Sequence, residues 1–245
     1  DGVTPFTRLG GGVIQRGVGA PNSFIRAGNN ILFLDTENRL VVLNNKTPVV
    51  VSKPFNKYIA GFESIKDAVA DDITIGGRTF YVLSFKKEDK TLVYDYENKG
   101  WTEWGEWDAS LGDHRRFKGN SYTYASAWRK HLVGDKSNGK IYELDSEIYQ
   151  DDGEPIRFFR RSQHINHGTD QRKRSREILI KVKTVVSDGV PDLIVRWRDN
   201  GGTTWSNDHI INLNKVGAGE FIARMHQLGM YRTRQYEISF TENHP

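Results

Sequence analysis

Seven cations stand close together in the second half of the chain: Arg157, Arg160 and Arg161, then Arg172, Lys173, Arg174 and Arg176. All but one are arginine, whose planar guanidinium offers paired N–H donors that match the oxygens of a phosphate or a carboxylate. Residues 155–185 hold nine Lys/Arg against two Asp/Glu, giving +7, whereas residues 1–154 come to −2 and residues 186–245 to −1, within a chain total of +4. A stripe of this kind suits an acidic partner, phosphate or protein. If the partner is DNA, the contact runs through the backbone and is indifferent to sequence. A solvated loop that only keeps the protein soluble would have the same composition.

Other residue groups carry weaker chemistry. Arg198-Asp199-Asn200-Gly201-Gly202-Thr203-Thr204-Trp205 resembles the Asp-box hairpin of sialidase-type propellers, with Arg198 where that motif has Ser or Thr and Asn200 where it has Asp. It is a structural turn in either case: Gly201 and Gly202 supply unusual backbone angles, Asn200 hydrogen-bonds the turn, and Trp205 packs on it. Glycoside cleavage also needs two carboxylates facing each other across the bond, and no pair here stands out. Trp101, Trp104 and Trp107, spaced by three, could stack sugars or bases, or could end a strand and fill the space between sheets. His164, His167 and Asp170 have a loose metal-ligand look that no spacing fixes on one face, so no metal is expected. Asp71-Asp72 and Asp151-Asp152-Gly153 are read as turn acids rather than a catalytic dyad. There is no Ser/His/Asp order, no HExxH and no glycine loop cradling phosphate before a helix. No residue is assigned a catalytic role, no cofactor is expected, and the chain is read as a non-enzyme.

The elements that must position these groups are strands. Phe80 to Phe85 and Thr91 to Asp95 are rich in aromatic and β-branched residues and flank a charged turn, Lys87-Glu88-Asp89-Lys90. Alternation places Tyr81, Leu83 and Phe85 on one face of the first strand, and Leu92, Tyr94 and Tyr96 on one face of the second. The hairpin recurs every 50 residues. Leu32-Phe33-Leu34 becomes Val82-Leu83-Ser84 and then Leu132-Val133-Gly134; Val41-Val42, Thr91-Leu92 and Ile141-Tyr142 keep step, as do Asn45, Asp95 and Asp145. A period of about 50 belongs to radial β arrays of the kelch-propeller kind. With no cysteine, disulfides and thiolate metal sites are excluded, and no apolar run approaches the ~18 residues of a membrane span.

The expected fold is therefore all-β: a partial β-propeller with blades of about 50 residues over 1–154, then a β-sandwich-like unit over 155–245, where the period fails. Residues 1–23 read as a glycine-rich lead-in, Val49-Val50-Val51 between Pro48 and Pro54 as an edge strand, and Glu63 to Ala70 as two turns of helix. Three blades do not close a ring, which needs about four to eight, so further blades are expected before Asp1.

From Asp67-Ala68 onward an ordered series of short stretches resembles the packaged-DNA stabilisation proteins, or tail hubs, of short-tailed phages. The series includes Gly77 to Phe85, Thr91 to Asp95, Trp101-Thr102-Glu103, Val133-Gly134-Asp135, Gly139 to Tyr142 and Asp151 to Ile156. It continues through Asn200 to Trp205, Gly219-Glu220-Phe221 and Leu228-Gly229, covering roughly residues 60–240. The resemblance implies a virion structural protein of the tail, assembled in the host cytoplasm and lying below the portal and its adaptor ring. It implies a homo-oligomeric ring, by analogy a hexamer, that extends and plugs the DNA channel and seats the tail needle or fibre and spike proteins. It implies contact with packaged double-stranded DNA through its backbone and no membrane anchor. Its rivals are a carbohydrate-binding or sialidase-like propeller, suggested by the Asp-box-like turn and the tryptophans, and a stand-alone nucleic-acid-binding module built on the basic cluster.

Overall fold

The computed structural model describes residues 14–27, 30–44, 47–148, 150–184, 192–213 and 219–241. They are mostly antiparallel strands, in two compact units, Asp1–Ser146 and Glu147–Pro245. The sequence places this boundary at 154/155; in the structure the short hairpin between the two positions goes with the second unit.

The first unit is a series of sheets, each made from consecutive strands. β1 (Ile25–Ala27), β2 (Asn30–Leu34), β3 (Leu40–Asn44) and β4 (Thr47–Val50) form the first, in that order, with β4 on its edge. β5 (Val69–Ile75), β6 (Arg78–Phe85), β7 (Lys90–Asp95) and β8 (Trp101–Glu103) form the second. A hairpin of β9 (Gly105–Asp108) and β10 (Asp113–Arg116) precedes the third, made of β11 (Gly119–Ala125), β12 (Lys130–Asp135) and β13 (Ile141–Leu144). The 50-residue repeat falls on the second and third strands of each sheet. Leu32 faces Val42, Val82 faces Val93 and Leu132 faces Glu143, so the third strand slips by one residue after the first sheet. Of the three polar residues that keep step, Asn45 lies outside the described residues. Asp95 accepts from the Glu97 and Asn98 amides in the turn after β7.

Residues opposite each other in a ladder share a face, and each face of the second sheet is committed to a neighbour. Tyr81, Leu83, Phe85, Leu92 and Tyr94, at most 5% exposed, pack with Leu32, Leu34 and Leu40 of the first sheet. On the other side Ile73, Val82 and Val93 meet Phe117, Tyr122 and Leu144 at the third. Burying each such side chain stabilises the fold by about 1.5–3 kcal/mol. The interfaces are also pinned by polar contacts: the Tyr81 hydroxyl donates to the Ser23 carbonyl at 2.7 Å, and the Trp101 indole N–H to the Val51 carbonyl at 2.9 Å. β5 lies against both β1 and β11, so the first strands of successive sheets converge, as blades fan from an axis.

Two expectations fail here. Glu63 to Ala70 is not helical; the one described α-helix is Asn56–Ile59, and the chain is already extended from Val69. Nor do Asp71 and Asp72 lie in a turn, since they sit mid-strand opposite Val82 and Tyr81. The cause of both is packing on two sides: Ala70 reaches the first interface while Ile73 and Ile75 reach the second, and only an extended backbone presents alternate residues to opposite faces.

The strand position has a consequence for Asp71, whose carboxyl burial pushes up to about 6. Because its folded pKa exceeds the unfolded one, ionisation opposes folding. That penalty is absent below about pH 4, grows as pH rises and is complete above about pH 6. Asp71→Asn should therefore stabilise the protein at neutral pH by on the order of 1 kcal/mol, a modest figure because water still reaches part of the carboxylate. The gain should vanish near pH 4. Melting temperatures of the two proteins across this range test it, and a gain independent of pH would refute it.

The second unit opens with a hairpin of β14 (Gln150–Asp151) and β15 (Glu154–Pro155), turning through Asp152 and Gly153, both at positive φ. There follow β16 (Arg157–Arg161), β17 (Lys173–Arg174), β18 (Glu177–Thr184), β19 (Asp192–Asp199), β20 (His209–Asn212), β21 (Gly219–His226), β22 (Met230–Tyr231) and β23 (Arg234–Thr241). A four-stranded sheet runs β16-β23-β19-β20, while β18 pairs with β21 and β17 with β22. Leu193 and Val195 of β19 and Ile238 of β23 share a core with Ile180, Val182, Phe221 and Ala223 of the β18–β21 ribbon. In β18 the half-buried Ile178, Ile180 and Val182 alternate with exposed Leu179, Lys181 and Lys183, as a ribbon covered on one face requires.

Candidate functional site

The seven cations do not act as one patch, because strand alternation and loop geometry separate them. Arg157 and Arg161 share one face of β16 and are tied to β23, through Ser239 Oγ at 3.0 Å and the Glu237 carboxylate at 2.5 Å. Burial pushes the Arg157 guanidinium pKa down. Arg160 points from the opposite face and is exposed. Lys173 folds its ammonium onto the carbonyls of Thr169 and Gln171, at 2.5 and 2.9 Å. Arg172, Arg174 and Arg176 remain exposed.

Arg174 and Arg176 border an open groove of about 700 Å³ between β17, β22 and the start of β18. Lys173, Arg174 and Arg176 supply its charge, with His167 beside them; Tyr231 and Tyr236 form an aromatic wall, and Ile165, Ile178 and Leu179 an apolar one. Among the described residues Glu177 is the only acid lining it. A smaller hollow of about 240 Å³ joins Arg172 to Arg232, again against Tyr231. The groove thus combines exposed guanidiniums with aromatic faces, which suits a phosphate-bearing chain or an acidic polypeptide. Tyr231, Arg232 and Tyr236 are not legible as site residues in the sequence, since β22 and β23 come far later in the chain than the basic run. Only the cluster Tyr231-Arg232-Thr233-Arg234 hints at them.

Beneath the groove is a tightly locked cation. Arg234 is 1% exposed and holds Asp199 with two bonds, Nε to Oδ1 at 2.6 Å and Nη2 to Oδ2 at 2.8 Å. Its guanidinium carbon lies 4.2 Å from the Tyr231 ring centre, 5.1 Å from that of Trp197 and 5.7 Å from that of Tyr236. Arg234 therefore fixes the aromatic wall from behind.

The Asp-box-like stretch follows Asp199. Asn200 and Gly201 both take positive φ, and the Gly202 amide returns to the Asp199 carbonyl at 2.9 Å. Asn200 Oδ1 accepts from the amides of Arg232 and Thr233, at 2.8 and 3.3 Å, which binds this turn to the loop before β23. Trp205 lies under the guanidiniums of Arg161, Arg196 and Arg198.

The three tryptophans of the first unit do not share a platform. Trp101 packs against Tyr94 and Phe55 at the first interface, Trp104 against Phe80 and Phe117 at the second, and Trp107 against His114 in the β9–β10 hairpin. The histidines are likewise separate: His167 Nε2 meets the Tyr231 hydroxyl at 3.0 Å, while Asp170 accepts from Asn166 and His164 is exposed. Among the described residues no three His, Cys, Asp or Glu side chains gather as a metal would require, and no helix is long and apolar enough to cross a membrane.

Compared with known proteins, the chain has no match among curated sequences. It does match a family model described as Bacteriophage P22 Gp10, beta-propeller, over residues 1–149. That span takes in the whole first unit, with its face-to-face sheets and converging first strands, and stops just before the groove-bearing strands. On that match over more than half its length, the chain belongs to the phage-stabilisation family of P22 Gp10.

Proposed function

We propose that the protein is a structural component of a short-tailed phage tail, a hub or nozzle that extends and closes the DNA exit channel below the portal and adaptor ring. In this role it retains packaged DNA and seats the tail needle or fibres, as part of a homo-oligomeric ring of six copies. The observation that carries the proposal is the family match over the first unit. Physical character supports it: the second sheet is packed on both faces, against the first and the third, and the three share a single hairpin repeat, a rigid frame suited to heterologous contacts that close into a ring. Such a role calls for no cofactor and no catalytic residue.

In the same proposal the groove contacts the DNA backbone through Lys173, Arg174 and Arg176 and the hollow beside it through Arg172 and Arg232, and Arg160 extends the positive field, whereas Arg157 and Arg161 face the other side of the sheet. If about five phosphates are neutralised, log affinity for duplex DNA should fall against log salt with a slope near −4.5. Replacing Arg172, Arg174 and Arg176 together by Glu should flatten that slope and let DNA leak from particles that still assemble. Titrations of duplex DNA at several salt concentrations, with DNA retention assayed in particles carrying the variant, test this directly. Unchanged retention would remove the groove from the proposal, and electron microscopy finding the protein elsewhere than below the portal would remove the tail placement.

A further inference from the structure

The four-stranded sheet of the second unit has a face its core does not use. By the ladder register, Arg157, Phe159 and Arg161 of β16 lie beside Glu237 and Ser239 of β23 and beside Ile194, Arg196 and Arg198 of β19, with Ile210 of β20 at the margin. Leu193, Val195 and Ile238 point the other way, into the core, and so does Tyr236, which lines the groove. The two surfaces are therefore on opposite sides of one sheet.

On this outer face the arginines are held flat. The guanidinium carbons of Arg198, Arg196 and Arg161 stand 4.9, 5.0 and 5.5 Å from the ring centre of Trp205. Glu237, 2% exposed, takes the Nε of Arg196 at 2.6 Å and of Arg161 at 2.5 Å, and Gln235 takes that of Arg198 at 2.6 Å. Burial pushes the Glu237 carboxyl up, but its bonds from Arg196 and Arg161 outweigh this and keep it below the usual range, so it is ionised. With Nε turned inward, the Nη atoms of Arg196 and Arg198 make no hydrogen bond among the described residues. Among the described residues the carboxylates beside these guanidiniums are Glu237 and Asp208, the latter near Arg157, so on this face the described cations outnumber the described acids.

Ordered arginines, an indole and an exposed aliphatic side chain (Ile210 is 66% exposed) are what the centres of protein–protein contacts are made of. Because these side chains are already fixed, little conformational entropy remains to be lost on binding. A nucleic-acid backbone would use the cations but would gain nothing from Ile210. We propose that this face docks an acidic, partly apolar segment of a partner protein, with carboxylates in the open edges of Arg196 and Arg198 and an aliphatic side chain against Ile210.

The test uses the full chain, isotope-labelled for NMR, with three probes: a short peptide in which Glu alternates with Val, the same peptide with Gln for Glu, and a DNA duplex. The acidic peptide should move the Trp205 indole N–H and the Ile210 amide, and the Gln peptide should not. Arg198→Glu should weaken the acidic peptide about tenfold or more, since it reverses a charge at the contact. Ile210→Asp, at an exposed position where folding is not at stake, should weaken it several-fold, and the groove variant Arg174→Glu should bind it like the parent. The proposal is overturned if the duplex rather than the peptide moves Trp205, if no probe does, or if Arg174→Glu abolishes binding. Because the groove proposal is read from duplex binding by Arg172, Arg174 and Arg176, either can fail without the other.

Discussion

Replacing Arg234 by alanine should unfold the second unit at a denaturant concentration where the first remains intact. Three effects combine at this position. The substitution leaves Asp199 without both of its charge-assisted bonds, empties a space enclosed by Trp197, Tyr231 and Tyr236, and loosens the turn that Asp199 begins. Breaking a buried pair from one side costs about 3–5 kcal/mol. Arg234→Lys keeps the charge but has neither the paired donors nor the flat cation, so it should recover only part of the loss. With two compact units the chain need not unfold in one step, and a probe in each is required. Trp197 reports the second unit, and Trp101 the interface between the first two sheets. A shift smaller than about 1 kcal/mol in the Trp197 transition, or an equal shift in both, would show that Arg234 does not lock this unit.

The second large effect is expected at Asp35, and it comes with an internal control. Asp35 and Asp135 are a hundred residues apart, each at the close of the second strand of its sheet, and each accepts backbone amides of the following turn. Asp35 Oδ1 takes the amides of Glu37 and Arg39, both at 2.9 Å, and Asp135 Oδ1 those of Ser137 and Asn138 at 2.6 and 3.1 Å. Their surroundings differ. Asp35 is 1% exposed and pairs with Arg16 at 2.6 Å and Arg39 at 3.2 Å. Asp135 is more open; burial is the largest single influence and raises its pKa, but the bonds from Ser137, Tyr142 and Asn138 together outweigh it and bring it to about 2. Asp35→Ala should therefore cost about 3–5 kcal/mol, because two arginines and two amides lose a buried acceptor together. Asp135→Ala should cost several-fold less, and its contribution should fade only as pH falls below the unfolded value toward about 2. Equal losses in urea unfolding would mean that the turn, rather than burial, sets the price at both positions.

Much of the first unit could be read from its residues because its contacts are local. The hairpins of β6–β7 and β12–β13 announce themselves by alternating aromatic and β-branched residues, and Tyr81, Leu83, Phe85, Leu92 and Tyr94 meet on one face as alternation requires. Asp71 and Asp72 were misplaced because paired acids favour turns, whereas here a strand packed on both sides overrides that preference. In the second unit the legible signal, a run of arginines, did not show the arrangement. Arg160 and Arg161 are neighbours in the chain but lie on opposite faces, while Arg161 joins Arg196 and Arg198 around Trp205. That grouping depends on β16 and β19 both pairing with β23, and a pairing across some forty residues or more leaves no local periodicity to detect.

The place of β23 has a consequence for how the molecule is made. It lies between β16 and β19, so the four-stranded sheet lacks its centre until Arg234–Thr241 has left the ribosome. Every described sheet of the first unit, by contrast, pairs strands adjacent in sequence and can settle while translation continues. Nascent chains halted before Arg234 should thus carry a protease-resistant first unit and an unprotected second one. The basic surfaces would then take shape only once β23 has been made, however early their arginines are translated.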